Sequence, residues 1–138
     1  MNAVLLDTGF LVALFDRHDS KHGECAEILA SLDCALITCE TVIAESAYLL
    51  RRCNGAAEQI MKNIEKRVFE IPWRLIGNES RLKKLFLKYG SQKINLSSAC
   101  LILMAEDFST GDILTLDSNF LFYRWNKTKR FRIFPHIT

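Results

Sequence analysis

The sequence predicts an α/β fold, a three-layer α/β/α sandwich around a central, mostly parallel sheet. Three observations carry that prediction. Short apolar runs alternate with longer stretches of helical periodicity along the whole chain, which is the pattern of βαβ units. The first run, Val4-Leu5-Leu6, has no polar side, as a strand covered on both faces requires. Two such runs stop at a carboxylate, the first at Asp7 and a later one at Asp117.

Taken in order, the first strand ends at Asp7, and Thr8, or in the plainer reading Asp7 itself, is placed to cap a helix over 10–15. A polar turn follows, and Asp19 or Ser20 is expected to cap a second helix whose apolar set is Ala26, Ile28, Leu29 and Leu32. His18 and His22 stand four apart, a spacing that suits a metal pair only if both lie on one helix, and His18 precedes the expected cap. Residues 35–38 form a short second strand feeding a third helix over 40–52, closed by Asn54-Gly55. That helix is apolar on most sides, so Glu45 within it needs a partner: a cation, an arginine or water.

A fourth amphipathic helix covers 56–66, with Ile60, Met61 and Ile64 inward, and a third strand over 68–71 stops at Pro72. Ser80 is the expected cap of a fifth helix over 81–89, closed by Gly90. Its charges Arg81, Lys83, Lys84 and Lys88 read as a solvated face or, more sharply, as a surface for phosphate. Asn95 opens a sixth helix through Glu106, apolar all round and therefore central. Residues 113–117 repeat the opening arrangement of apolar strand and terminal acid. A short helix or turn at 120–122, a basic stretch over 124–130 and a last strand over 131–134 complete the chain.

Length and composition bound the function. A chain of 138 residues, 49% hydrophobic and 25% charged, suits one globular domain over 1–138. A net charge of +2 is too small to argue for nucleic acid from the total alone. Five cysteines with no C-x-x-C pair argue against a zinc site or a disulfide framework and for a reducing cytoplasm. Asp7 and Asp16 interrupt the N-terminal apolar run, so no signal peptide is expected. The longest uncharged apolar run, 96–105, is too short to span a bilayer.

Right-handed crossovers would bring the strand C-termini to one edge, with Asp7 and Asp117 converging there and Glu45 leaning in from its helix. Three carboxylates in one cleft repel one another unless a divalent cation is bound. Oxygen ligands without His or Cys suit Mg²⁺ or Mn²⁺, ions that orient water and neutralise charge developing on a phosphoryl group. Basic residues flanking an acidic pocket point to a phosphate polymer as substrate.

On these residues the chain resembles the PIN domain family, and within it the toxin ribonucleases of the VapBC type. The resemblance covers nearly the whole chain. It rests on Leu5-Leu6-Asp7-Thr8-Gly9, on Glu45 followed by Tyr48-Leu49-Leu50, on Asn95-Leu96-Ser97-Ser98-Ala99, and on Thr115-Leu116-Asp117-Ser118-Asn119-Phe120. It implies a PIN-like α/β/α fold and Mg²⁺- or Mn²⁺-dependent cleavage of RNA. Asp7, Glu45 and Asp117 become the catalytic, cation-binding acids, and Thr8 and Thr115 hydroxyls near the site. Ser98 stands where most of the family has an acid, and Asn95 and Asn119 stand near positions that often carry further acids. The resemblance also implies an antitoxin protein that inserts a segment into the cleft, and a homodimer. Apolar residues near Phe10, Phe15 and Tyr48 would serve such interfaces or, more simply, the core.

Two other readings compete. One is a PIN-like module that binds RNA or protein without cutting, motivated by Ser98, Asn95 and Asn119. The other is a phosphatase or receiver-like domain with Asp7 as nucleophile, which Asp7-Thr8-Gly9 fits poorly because no second nearby aspartate follows.

Overall fold

The computed structural model describes residues 3–136. Strands β1 (Ala3–Leu6), β2 (Ala35–Ile37), β3 (Phe69–Glu70), β4 (Asp112–Leu114) and β7 (Arg132–Phe134) form one sheet in the order β3-β2-β1-β4-β7. Every neighbouring pair in it is parallel. Six helices flank it: α1 (Thr8–Phe15), α2 (His22–Ser31), α3 (Glu40–Leu49), α4 (Ala56–Glu65), α5 (Glu79–Lys88) and α6 (Leu96–Asp107). The expected α/β/α sandwich is therefore present.

The chain lays down β1, β2 and β3 toward one edge, then returns through α5 and α6 to place β4 on the other side of β1. The boundary between β1 and β4 is thus the point where strand order reverses, and ligands in open parallel sheets bind there, beyond the strand C-termini. Val4, Leu5 and Leu6 are wholly buried, as a strand covered on both faces requires. Helix α6 has no exposed face from Ser97 to Ala105 and packs against β1, α3 and α5. Its all-round apolarity reflects that central position.

Local chemistry shifts several expected boundaries. Of the two caps the sequence offers for α1, the structure uses Asp7: its carboxylate accepts from the Thr8 amide at 2.8 Å, and Thr8 is the first helical residue. The second helix starts from Lys21, because the Asp19 carboxylate is spent on the Lys21 amide in a tighter turn. Asn78, not Ser80, precedes α5, and α3 stops at Leu49 rather than near residue 52. Gly55, at φ 78°, makes the left-handed entry into α4.

The basic stretch before the last strand folds into a small antiparallel hairpin, β5 (Arg124–Trp125) with β6 (Lys129–Arg130). Trp125 anchors it, buried, with its indole N–H donating to the Arg130 carbonyl at 3.2 Å. The indole lies directly over Gly111, so a Cβ there would run into the ring. Arg81 ties α5 to the end of α6, reaching Asp107 at 2.9 Å and Glu106 at 3.3 Å, while the Trp73 indole N–H donates to Asp107 at 2.9 Å. Arg81 is therefore engaged, and its expected phosphate-facing role is not supported.

Gly111→Ala is expected to destabilise the fold by roughly 1–3 kcal/mol, since the hairpin must shift to admit one methyl group. Thermal unfolding checks this, with Gly23→Ala, which meets nothing within 4 Å, as the control. Equal losses in both would contradict the packing argument.

Candidate active site

The parallel ladder continues one residue past the strands. The Asp7 amide donates to the Leu114 carbonyl at 2.9 Å and the Thr115 amide to the Phe134 carbonyl at 3.0 Å. With Leu6 paired to Leu114, Asp7 and Thr115 come level across the β1–β4 boundary. The Thr115 hydroxyl, fully buried, donates to Asp7 Oδ2 at 2.6 Å and accepts from the Asp117 amide at 3.0 Å. Asp117 in turn accepts from the Asn119 amide at 2.9 Å, capping a 3-10 turn over Ser118–Leu121. Phe120 pins that turn to the core, meeting Tyr123 and Phe131 edge to face at 5.1 and 5.2 Å.

Glu45 reaches the site from α3, where the Ser97 hydroxyl of α6 donates to its carboxylate. The residue is exposed rather than sunk in the apolar part of its helix, so the partner it requires is a hydroxyl and water. Asn95 caps α6 by accepting from the Ser98 amide at 2.8 Å, which leaves Ser98 a buried residue of the first turn rather than the cap. Ser97 is the residue the sequence reading missed. Adjacent serines on a helix carry no pattern signal, and only the crossing of α6 over α3 selects between them.

Electrostatics single out Asp7. It is 6% exposed, and burial raises its carboxyl from the ordinary 3.8 to about 6, against hydrogen bonds from Thr115 and Thr8 that lower it. The charges of Asp117 and Glu45 push it further up, so both acids lie within reach of its field. Burial and the nearby Asp117 likewise raise the Tyr123 phenol. A second buried group sits beside Asp7. Cys39 precedes α3 with its Sγ 3.1 Å from the Thr41 hydroxyl, and its hydrogen bond with Cys100 lowers the pKa of its own thiol while the same bond and burial raise that of Cys100. All five cysteines are free thiols.

The donor set available to a cation is all oxygen. Thr8 Oγ1 is buried without a hydrogen-bond partner, and Asp7 is a buried carboxylate short of positive charge. Among the described residues no three His, Cys, Asp or Glu side chains gather closely enough to enclose a metal unaided. An all-oxygen donor set of this kind suits a hard divalent cation. His18 and His22 play no part: His22 Nδ1 is 2.8 Å from the Ala13 carbonyl and His18 is exposed in a turn outside α2.

Comparison with known proteins bears on this geometry. The PIN domain family profile matches residues 4–126. The chain belongs to the PIN domain family. Ribonuclease VapC26 of Mycobacterium tuberculosis is 26% identical over 116 residues, which cover 83% of this chain and 86% of that protein. The crystal structure of Mycobacterium tuberculosis VapC20, titled a sarcin-ricin loop cleaving toxin, superposes with a TM-score of 0.76 at 19% identity, covering 84% of this chain and 91% of that one. Within this PIN domain the fold brings Asp7, Thr115 and Asp117 into one hydrogen-bonded unit, with Glu45 in its field and Ser97 on Glu45. Asn119 joins the unit through its amide.

The raised Asp7 carboxyl has a defined consequence for stability. The folded state holds this proton more tightly than the unfolded chain. The contribution is therefore fully present below 3.8 and lost as pH rises through about 6, a loss of roughly 3 kcal/mol. With EDTA present, Asp7→Asn is expected to flatten that dependence and to melt higher than wild type at neutral pH. Thermal melts across the window check the sign, and a less stable variant with an unchanged pH slope would contradict it.

Proposed function

We propose that this PIN domain is a ribonuclease that hydrolyses RNA phosphodiesters with the help of Mg²⁺ or Mn²⁺. The observation that carries the reading is the Asp7–Thr115–Asp117 unit at the sheet's switch point, with Glu45 in its field. Asp7, Glu45 and Asp117 would hold the cation, and Thr8, Asn95, Ser98, Thr115 and Asn119 would line the site. When bound, the cation supplies positive charge against the phosphate and lowers the pKa of attacking water.

The chain's own groups set up that chemistry. Thr115 fixes Asp7 in one rotamer and hands Asp117 the correct backbone position, so both carboxylates are held without rearrangement. Burial keeps Asp7 poorly solvated and therefore eager for a cation. Ser97 orients Glu45 from α6 by donating a hydroxyl hydrogen bond to its carboxylate.

The names of the two relatives, a ribonuclease and a toxin, support a toxin-like ribonuclease role. The family resemblance extends the proposal to an antitoxin partner, a cytoplasmic location, a homodimer and one domain over 1–138. No helix among the described residues is long and apolar enough to cross a membrane. Tyr48 and Leu49, at 63% and 55% exposure on the end of α3, suit such a protein contact. Phe10 and Phe15 do not, since Phe10 is wholly buried and Phe15 packs on Phe69 at 6.4 Å.

One observation favours a weaker catalyst or a binding module. The first turn of α6 presents Ser97 and Ser98 but no carboxylate, so a cation meets one negative charge fewer.

The test is cleavage of single-stranded RNA with Mn²⁺. Wild type is expected to cut, with activity abolished by EDTA and reduced about 10²-fold or more in Asp7→Asn. Ser98→Asp should raise the rate by adding the missing charge. Equal cleavage by wild type and Asp7→Asn would refute the ribonuclease reading. A silent wild type that Ser98→Asp activates would mark a PIN nuclease that has lost its chemistry, and continued silence in both would favour the binding module.

A further inference from the structure

Beside the acidic unit, and sharing only Asn119 with it, lies a small cleft that the chemistry above does not use. Gln92, Asn119, Phe122 and Tyr123 line it, and its volume is about 140 Å³. Gln92 comes from the 3-10 turn at Gly90–Gln92, and the other three belong to the 118–123 segment that Asp117 caps. We propose that this cleft seats one unpaired nucleobase of the RNA, stacked on Phe122 and met at its edge by the Asn119 and Gln92 amides. The inference rests on the ribonuclease reading and names how that substrate is held.

Size comes first. Pockets that enclose a whole small-molecule ligand run from roughly 300 Å³ upward, so this one takes a single ring system and leaves the rest of its ligand outside. A polymer that inserts one base at a time has that shape.

The lining then selects the ring. Two aromatic rings give stacking surface, and two primary amides give both donors and acceptors. Neither amide side chain is engaged by another group among the described residues. A purely apolar side chain from a protein partner would bury both amides unpaired, which is costly, whereas a nucleobase edge offers complementary donors and acceptors. No charged side chain lines the cleft, as a neutral ring prefers.

Phe122 itself has no structural employment. It is 70% exposed, although Phe120 two residues earlier is wholly buried and Tyr123 one residue later is nearly so. Its backbone is nonetheless fixed. The Arg124 guanidinium donates to the carbonyls of Leu121, Phe122 and Tyr123, each at 3.0 Å, and the Phe122 amide donates to Asn119 at 2.9 Å. A large exposed ring on a fixed backbone is a stacking platform whose backbone ordering cost is already met. The Asn119 amide donates to Asp117, so a base in the cleft sits one turn from the acidic unit.

The experiment measures binding rather than turnover. Fluorescein-labelled single-stranded RNA is titrated in EDTA with wild type, Phe122→Ala and Phe122→Trp, using a set of oligonucleotides in which one base at a time is removed. Phe122→Ala is expected to weaken binding about tenfold with an unchanged melting temperature, and Phe122→Trp to restore it. One abasic position should weaken wild type by a similar factor and leave Phe122→Ala unaffected. Wild-type affinity in Phe122→Ala, or abasic losses equal in both proteins, would overturn the base seat alone and leave the exposed ring to a protein contact. A wild type that binds none of the RNAs would overturn the ribonuclease reading, and the base seat with it.

Discussion

The Thr115 hydroxyl donates to Asp7 and accepts from the Asp117 amide, so one buried side chain joins the ends of two strands 108 residues apart in the chain. Everything else at the site hangs on that link. It exists only because β1 and β4 pair in parallel with Leu6 opposite Leu114, which sets Asp7 level with Thr115. A slip of one residue in either strand would put its side chain on the opposite face of the sheet from its partner. The return of the chain through α5 and α6 makes that pairing, and it also lays the first turn of α6 across α3 so that Ser97 meets Glu45.

Burial gives this arrangement its chemistry. A carboxylate at 6% exposure, held by two hydrogen bonds and faced by two further acids, is costly to ionise. The fold tolerates that cost at the strand ends, where function rather than packing decides the residue. Natural proteins place such locally unfavourable groups at working sites and stabilise them elsewhere. Here the surrounding support is the solid helix α6 and the aromatic cluster of Phe120, Tyr123 and Phe131. Serines at the start of α6 then set how much negative charge remains for a cation.

The alternation of strands and helices, the buried β1 and the central α6 were legible because hydrophobic periodicity reports burial directly. The strand-end acids were legible for the same reason, since a polar residue closing an apolar run stands out. Caps were harder. Lys21 and Asn78 took positions assigned to Asp19 or Ser20 and to Ser80, and Asp7 was one of two candidates beside Thr8, because several capping residues in a row leave the choice to turn geometry. The β5–β6 hairpin was invisible, being two residues a side and stabilised by Trp125 against Gly111 rather than by strand propensity. Ser97 and the cleft under Phe122 depend on which helix crosses which, information that no local pattern holds.

The central claim is that Asp7 is a buried carboxylate kept short of positive charge until a divalent cation arrives. Its most direct test is a carbon-detected NMR titration of the Asp7 carboxyl, with and without Mg²⁺. A midpoint near 6 in EDTA that falls well below this on adding Mg²⁺ is the predicted result. A midpoint at the ordinary aspartate value, or one that Mg²⁺ leaves unmoved, would contradict the account.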